Sequence, residues 1–317
     1  MSDGQRGVNS PLSAGVNVFF DFTIADTYQA GRLPGKIMKK SHQNEPSLTD
    51  LRRDIDRIDE AMHALLIERG EIIERLIAVK KTEESGSAFR PAREADMMRR
   101  LVQRHHGSLP LDTAESIWRV IISTFTYVQA PFAVHADLSA GDALMRDSAR
   151  FHFGFTVPFV PHMGAATVVQ AVTASKGDLG LVPAFATAGA SPWWTALEFD
   201  AAPKIIARLP FVERADHPAA MPVFVISRVA AEAMVTETEV WSVRVSGWSA
   251  NSVNKLAGFA DAIAVPDRAF DGAALLISVA RDGIGAVADA LIATGASIRS
   301  RALVGSHATR YTVPAKG

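Results

Sequence analysis

From Leu48 onward the apolar positions recur with helical spacing. Leu51, Ile55, Ile58, Met62, Leu65, Ile72 and Leu76 line one stripe, which predicts a helix over residues 48–81. Ser47-Leu48-Thr49-Asp50 supplies a capping box for it, with hydroxyl and carboxylate able to satisfy free N–H groups. A charged, Ser- and Gly-containing loop, Glu83 to Ser87, comes next. A second helix opens at Pro91 and stops near His106-Gly107, with Pro110 just beyond. The third starts after Asp112 and runs to about Gln129, where Pro131 ends it. From Pro131 short β-rich runs (Phe132 to His135, Leu179 to Val182, Pro222 to Ile226, Leu275 to Val279) alternate with helical stretches, an α/β pattern. The expected fold is therefore α+β and multidomain: an extension over 1–47, an all-α three-helix domain over 48–130 and an α/β domain over 131–317.

The extension is rich in Gly, Ser and Asn, and its short apolar patch, Val16 to Phe22, makes a poor secretory signal. It is expected to be disordered, and Met38-Lys39-Lys40 would make a sensible protein start. A first helix so much longer than a globular norm cannot bury its stripe within three helices, so an intertwined homodimer is expected. A length of 317 residues suits about two domains. A net charge of −1 marks the chain for neither nucleic acid nor membrane, and no run approaches a spanning helix. Zero cysteines exclude disulfides and thiol catalysis, and a cytoplasmic home is the default.

Three cations stand on the first helix. Arg69 and Lys80 are separated by about 20° of rotation and roughly 16 Å of rise, so two long side chains can converge on one small anion. Arg52 lies roughly 42 Å from Lys80 along the same axis, too far for both to touch one small ligand on one chain, so if Arg52 belongs to a site, that site is another protomer's. The bland alternative for any such cation is a solvated helix face.

Taken with the two helices downstream, these residues resemble the all-helical class of chorismate mutases. The matches are Leu51-Arg52, Glu68-Arg69, Lys80, Arg90-Pro91-Ala92-Arg93-Glu94, and Ile117-Trp118-Arg119-Val120-Ile121-Ile122 leading to Gln129, spread over about residues 48–130, a quarter of the chain. The resemblance implies rearrangement of chorismate to prephenate, in the biosynthesis of phenylalanine and tyrosine. This pericyclic step needs no nucleophile, metal or cofactor, only shape and charge. Arg69 of one protomer and Arg52 of the other would bind the two carboxylates through paired donors. Lys80 and Gln129 would stabilise negative charge growing on the ether oxygen. Glu94 would accept a hydrogen bond from the substrate hydroxyl, with Arg93 positioning substrate or acid. Arg90 stands where the family usually has an acid and Phe125 where it has a small hydroxyl residue, a change that would either narrow the pocket or hand the task to Thr124 or Thr126. The plain alternatives are dipole complementation and a surface ion pair for Arg93-Glu94, and a polar helix end for Gln129.

Mutases of this class are often fused to prephenate dehydratase, whose lobes resemble periplasmic binding proteins. Ala166 to Phe185 looks like the dehydratase helix-strand unit, and Thr309-Arg310-Tyr311 resembles its Thr-Arg-Phe motif, making Thr309 and Arg310 a candidate C-terminal site. The acid and amide expected after Val182-Pro183 are replaced by Ala184-Phe185-Ala186, so a degenerate domain that binds, regulates or stabilises is expected rather than an active dehydratase. The alternatives are a bifunctional mutase and dehydratase, or a non-catalytic binding relative. Gly283-Ile284-Gly285 with Ala288 imitates a dinucleotide fingerprint but lacks the later acid, so a helix start explains it better. Adjacent His105-His106 lacks metal-ligand spacing, and Trp193-Trp194 and Trp241 are candidates to line a pocket, with core packing the favoured reading.

Overall fold

This computed structural model describes residues 46–80, 88–186, 191–228, 237–267 and 272–313. Residues 1–45 of the expected extension and the loop after the first helix lie outside the described residues. The chain divides into two compact units, Met1–Arg57 and Ile58–Gly317. Helix α1 spans Leu48–Lys80. In the first unit its N-terminus is closed by the expected capping box: the Asp50 amide donates to Ser47 Oγ at 3.2 Å, and the Ser47 amide donates to Asp50 Oδ2 at 3.2 Å. The Ser47 hydroxyl, donating to Asp50 Oδ2 at 2.6 Å, and secondly the Ser47 amide hold the Asp50 carboxyl below its usual range.

In the second unit α2 (Pro91–Arg104) and α3 (Leu111–Gln129) follow the sequence pattern within one or two residues. The α/β region continues with β1 (Val134–Asp137), α4 (Asp142–Phe153), β2 (Phe159–His162), α5 (Ala165–Ala174) and β3 (Leu179–Pro183). After a short 3-10 helix (Trp193–Leu197) come β4 (Lys204–Leu209), β5 (Val212–Glu213) and β6 (Val223–Ser227). The last elements are β7 (Thr238–Ser246), α6 (Ala250–Leu256), β8 (Ala260–Asp267), β9 (Gly272–Ala280), α7 (Ile284–Ile292), β10 (Ser297–His307) and β11 (Tyr311–Thr312).

Among the described residues nine strands form one sheet in the order β2-β1-β3-β6-β4-β10-β7-β9-β8. The β2-β1-β3 end is parallel, while β10-β7-β9-β8 is antiparallel and is built from a βαββαβ unit with one helix per crossover. The two halves meet where β10 runs parallel to β4 through the pair Gly305 and Ile205. A Cβ on Gly305 would lie 2.1 Å from the Ile205 carbonyl oxygen, so only glycine permits this approach. A glycine also explains the dinucleotide-like run: Gly283 precedes α7, and a Cβ there would sit 2.6 Å from Val279 Cγ2 and 2.9 Å from the Ala280 carbonyl oxygen. It is a helix start, as the missing acid suggests. Trp194 is buried in the core, and the two histidines at 105 and 106 bond the Leu109 and Arg104 carbonyls.

The hydrophobic core crosses residue 130. Phe89, Met98 and Leu101 at α2 and Ile122 of α3 share one buried cluster with Val134 of β1, Met145 and Phe153 of α4, and Leu179 of β3. The α1 stripe contrasts with it: in the first unit Leu51 and Ile55, and in the second Ile58, Met62, Leu65 and Ile72, are each 46–64% exposed. Among the described residues no helix is long and apolar enough to cross a membrane.

Candidate active site of the helical region

The second unit places a cavity of about 270 Å³ among α1, the start of α2 and the end of α3. Its apolar walls include Ile72, Leu76, Met97 and Ile122, and its polar groups are Arg69, Arg90, Arg93, Glu94, Thr126 and Gln129. Four residues singled out in the sequence, Arg69, Arg93, Glu94 and Gln129, therefore share one space. Pro91 opens α2 and puts Arg93 and Glu94 in its first turn, while Gln129 is the last residue of α3. The side chain of Lys80, the last residue of α1, lies outside the described residues. Arg52 belongs to the other unit and is exposed there.

The cavity has an excess of positive charge. Burial, and secondly the Arg93 charge, lower the Arg69 pKa from its ordinary value, which marks two guanidinium groups facing a space short of anions. Phe125, where the family pattern has a small hydroxyl residue, lies under Arg69 with the guanidinium carbon 5.0 Å from the ring centroid. Thr126 lines the cavity and is buried, so of the two neighbouring hydroxyls it is the one that faces this space. Gln129 Nε2 donates to the Phe125 carbonyl at 3.0 Å, which orients the amide at the rim.

Glu94 is no surface carboxylate. It is 4% exposed, and Arg119 of α3, fully buried, donates from Nη1 to Glu94 Oε2 at 2.8 Å. Burial raises the Glu94 pKa, and Arg119 opposes that shift. The ion pair at the start of α2 is thus made across helices rather than at the surface. Arg119 Nη2 donates to the His152 carbonyl on α4 at 3.0 Å, and the guanidinium lies 5.2 Å from the Phe211 ring centroid. One turn earlier Glu115, also fully buried, takes Arg214 Nη1 at 2.5 Å and His217 Nε2 at 3.2 Å. Sequence reasoning assigns Arg119 and Glu115 no role of this kind, yet a signal existed: Glu115, Arg119, Ile122 and Thr126 share one α3 face, and charges on an apolar stripe must be paired inside. Thr309 and Arg310 lie apart from this site, on a second cavity, where Arg310 Nη1 meets Glu213 Oε1 at 2.9 Å.

Comparison with known proteins agrees with the helical geometry. Residues 51–130 match the family described as chorismate mutase type II. The chain is 29% identical over 144 residues to the bifunctional chorismate mutase/prephenate dehydratase of Pseudomonas aeruginosa, covering 44% of this chain and 39% of that protein. It is 28% identical over 140 residues to the protein of the same description from Aquifex aeolicus, covering 43% and 38%. The chain thus spans about two fifths of the length of these relatives. Among solved structures, a prephenate dehydratase from Streptococcus mutans is similar at 12% identity and a TM-score of 0.35, over 57% of this chain and all of that one. GqqA, described as a novel type of quorum quenching acylase, is similar at 13% identity and a TM-score of 0.36, over 56% and 95%. Joined to the arginine-lined cavity at the meeting of the three helices, the family match identifies residues 51–130 as a chorismate mutase type II domain.

Proposed function

We propose that this protein converts chorismate to prephenate in the cavity of its helical domain. The observation that carries the proposal is the crowding of Arg69, Arg90 and Arg93 around a space whose lining carboxylate, Glu94, is already engaged by Arg119. Such a cavity favours a dianion, and the apolar walls suit the ring and the enolpyruvyl arm of the substrate. Arg69 binds one carboxylate through its planar fork, and Arg93 and Arg90 add charge at the mouth of the second helix. As the C–O bond breaks, the ether oxygen gains negative charge, and Gln129 and Lys80 donate to it more strongly in the transition state than in the substrate. Glu94, held by Arg119, accepts the substrate hydroxyl. Clamping the flexible arm over the ring supplies the proximity contribution.

A homodimer through α1 belongs to the same proposal. Its support is the exposed stripe of Leu51, Ile55, Ile58, Met62 and Leu65, a long apolar face of the kind that a second α1 covers. In that dimer Arg52 of the partner subunit would bind the second carboxylate. We place the reaction in the cytoplasm, and we assign the C-terminal α/β region a binding or regulatory part, since Ala184-Phe185-Ala186 offers no polar group at the position the dehydratase pattern requires.

The test is an assay of purified protein with chorismate, following loss of its absorbance and analysing the product for prephenate and phenylpyruvate. Prephenate alone is expected. Untouched chorismate would refute the mutase proposal, and phenylpyruvate above the acid-free blank would show a working dehydratase.

A further inference from the structure

The second cavity, about 430 Å³, lies where the ends of the βαββαβ strands meet β4 and β5. That volume falls in the usual range of small-molecule clefts, roughly 300–1,000 Å³. Its charges are sorted by depth. The Arg208 and Arg310 side chains are 12% and 17% exposed, whereas the carboxylates that tether them, Asp261 and Glu213, are 67% and 45% exposed. Two guanidinium groups are therefore inside, with their counter-charges toward the rim. Burial, and secondly the Arg208 charge, lower the Arg310 pKa, so the two cations repel one another across the cavity. Arg208 Nε is buried without a hydrogen-bond partner among the described residues.

His307 adds a second, independent signal. It lines the cavity at 3% exposure, and its Nδ1 lies 2.8 Å from the Ala308 carbonyl oxygen. A carbonyl can only accept, so Nδ1 carries the proton and the neutral ring presents Nε2 as an acceptor. That nitrogen is buried with no partner among the described residues. A buried acceptor left unmade costs about 1–3 kcal/mol, and a ligand hydroxyl would recover it. Thr238, Ser278 and Thr309 also line the cavity.

We infer that this cavity is a binding site for a small hydroxycarboxylate, its carboxylate held between Arg208 and Arg310 and its hydroxyl donating to His307 Nε2. The cavity makes two demands, an anion between two buried cations and an O–H donor for a buried imidazole, and that class meets both together. A simple carboxylate meets the first alone. The site shares no residue with the mutase cavity and does not depend on the mutase proposal.

The experiment is calorimetric titration of the full chain with L-malate, with succinate, which keeps both carboxylates but lacks the hydroxyl, and with inorganic phosphate. Malate is expected to bind saturably and about tenfold more tightly than succinate, the ratio expected for one satisfied buried acceptor. Arg310→Gln should abolish malate binding, and Arg310→Lys, which keeps the charge and loses the fork, should weaken it while retaining the fold. Nitrogen NMR of the histidines supplies a readout that a merely structural role would not move: the His307 Nε2 resonance shifts with malate and not with succinate. Absence of saturable malate binding at about 10 mM, equal affinity for malate and succinate, or binding unchanged in both Arg310 variants would overturn the inference. Tighter binding of phosphate than of malate would overturn the assignment of ligand class.

Discussion

Replacing Arg119 by Met keeps an apolar stem of similar length and removes the charge that Glu94 depends on. In the native protein Arg119 satisfies Glu94 and the His152 carbonyl at once, and both charged side chains are almost wholly excluded from water. Breaking a buried pair from one side costs about 3–5 kcal/mol, because the abandoned charge stays desolvated. For a fold whose net stability is of order 5–15 kcal/mol this is a large fraction. The carboxylate has one escape, which is to take up a proton. Its folded-state pKa is already raised by burial, so the native state binds more protons than the unfolded chain above the ordinary value of 4.5, and stability falls as pH rises through that window. Without Arg119 the raised value climbs further, and the fall becomes deeper and extends to higher pH. Urea denaturation should therefore show the Arg119→Met deficit at its full about 3–5 kcal/mol near pH 7.5 and clearly smaller near pH 5. Adding Glu94→Gln should return most of the loss, since the stranded charge is gone. A deficit that is the same at both pH values, or a double variant no more stable than the single, would refute an uncompensated carboxylate as the cause.

Four further outcomes are expected. Arg69→Lys keeps the charge and loses the fork, so KM for chorismate should rise about tenfold or more with the melting temperature unchanged, as steady-state kinetics would show. Leu65→Glu, on the exposed α1 stripe, should convert a dimer to a monomer in sedimentation velocity while circular dichroism retains its helical signal; an unchanged mass would remove the case for α1 as the contact. His307 is held neutral, its pKa pushed down to about 4 chiefly by burial, so its contribution is complete above pH 6.5 and lost as pH falls toward 4. Comparing His307→Gln with the native protein should show roughly 3 kcal/mol of that acid dependence removed. Gly283→Ala drives a methyl against Val279 and the Ala280 carbonyl and should lower stability by about 1–3 kcal/mol in thermal melts.

The helices were legible because local rules decide them. Stripe spacing, the Ser47 and Asp50 cap and the prolines at 91 and 131 fix α1, α2 and α3 without any tertiary information. The sheet was legible where strands are apolar throughout, as in β3, β6 and β9, and in part at β1, where the run Phe132 to His135 overlaps Val134 and His135 of the strand. Strand β10, with Arg299, Ser300 and Arg301 in its exposed half, carries too little apolar signal to be named from sequence, and β7 mixes Glu239 and Arg244 into its run. In the cavity of the helical region the structure brings together Arg69, Arg93, Glu94 and Gln129, which their order along the chain had grouped. The partner of Glu94 was not legible, because Arg119 lies 25 residues away and its role depends on how α3 packs between α2 and α4. The same holds for Glu115, whose partners Arg214 and His217 are 99 and 102 residues distant.

The core that runs from α2 and α3 into β1, α4 and β3 makes the sequence boundary at residue 130 a poor place to cut. A fragment ending there would present Met98, Leu101 and Ile122 to water and leave Glu115 with neither of its counter-charges. An excised helical piece would thus combine an aggregation-prone face with a buried acid turned solvent-facing. Residues 58–317 should instead melt as one cooperative block, with the α/β region serving as the cover that keeps the apolar face of α2 and α3 out of water.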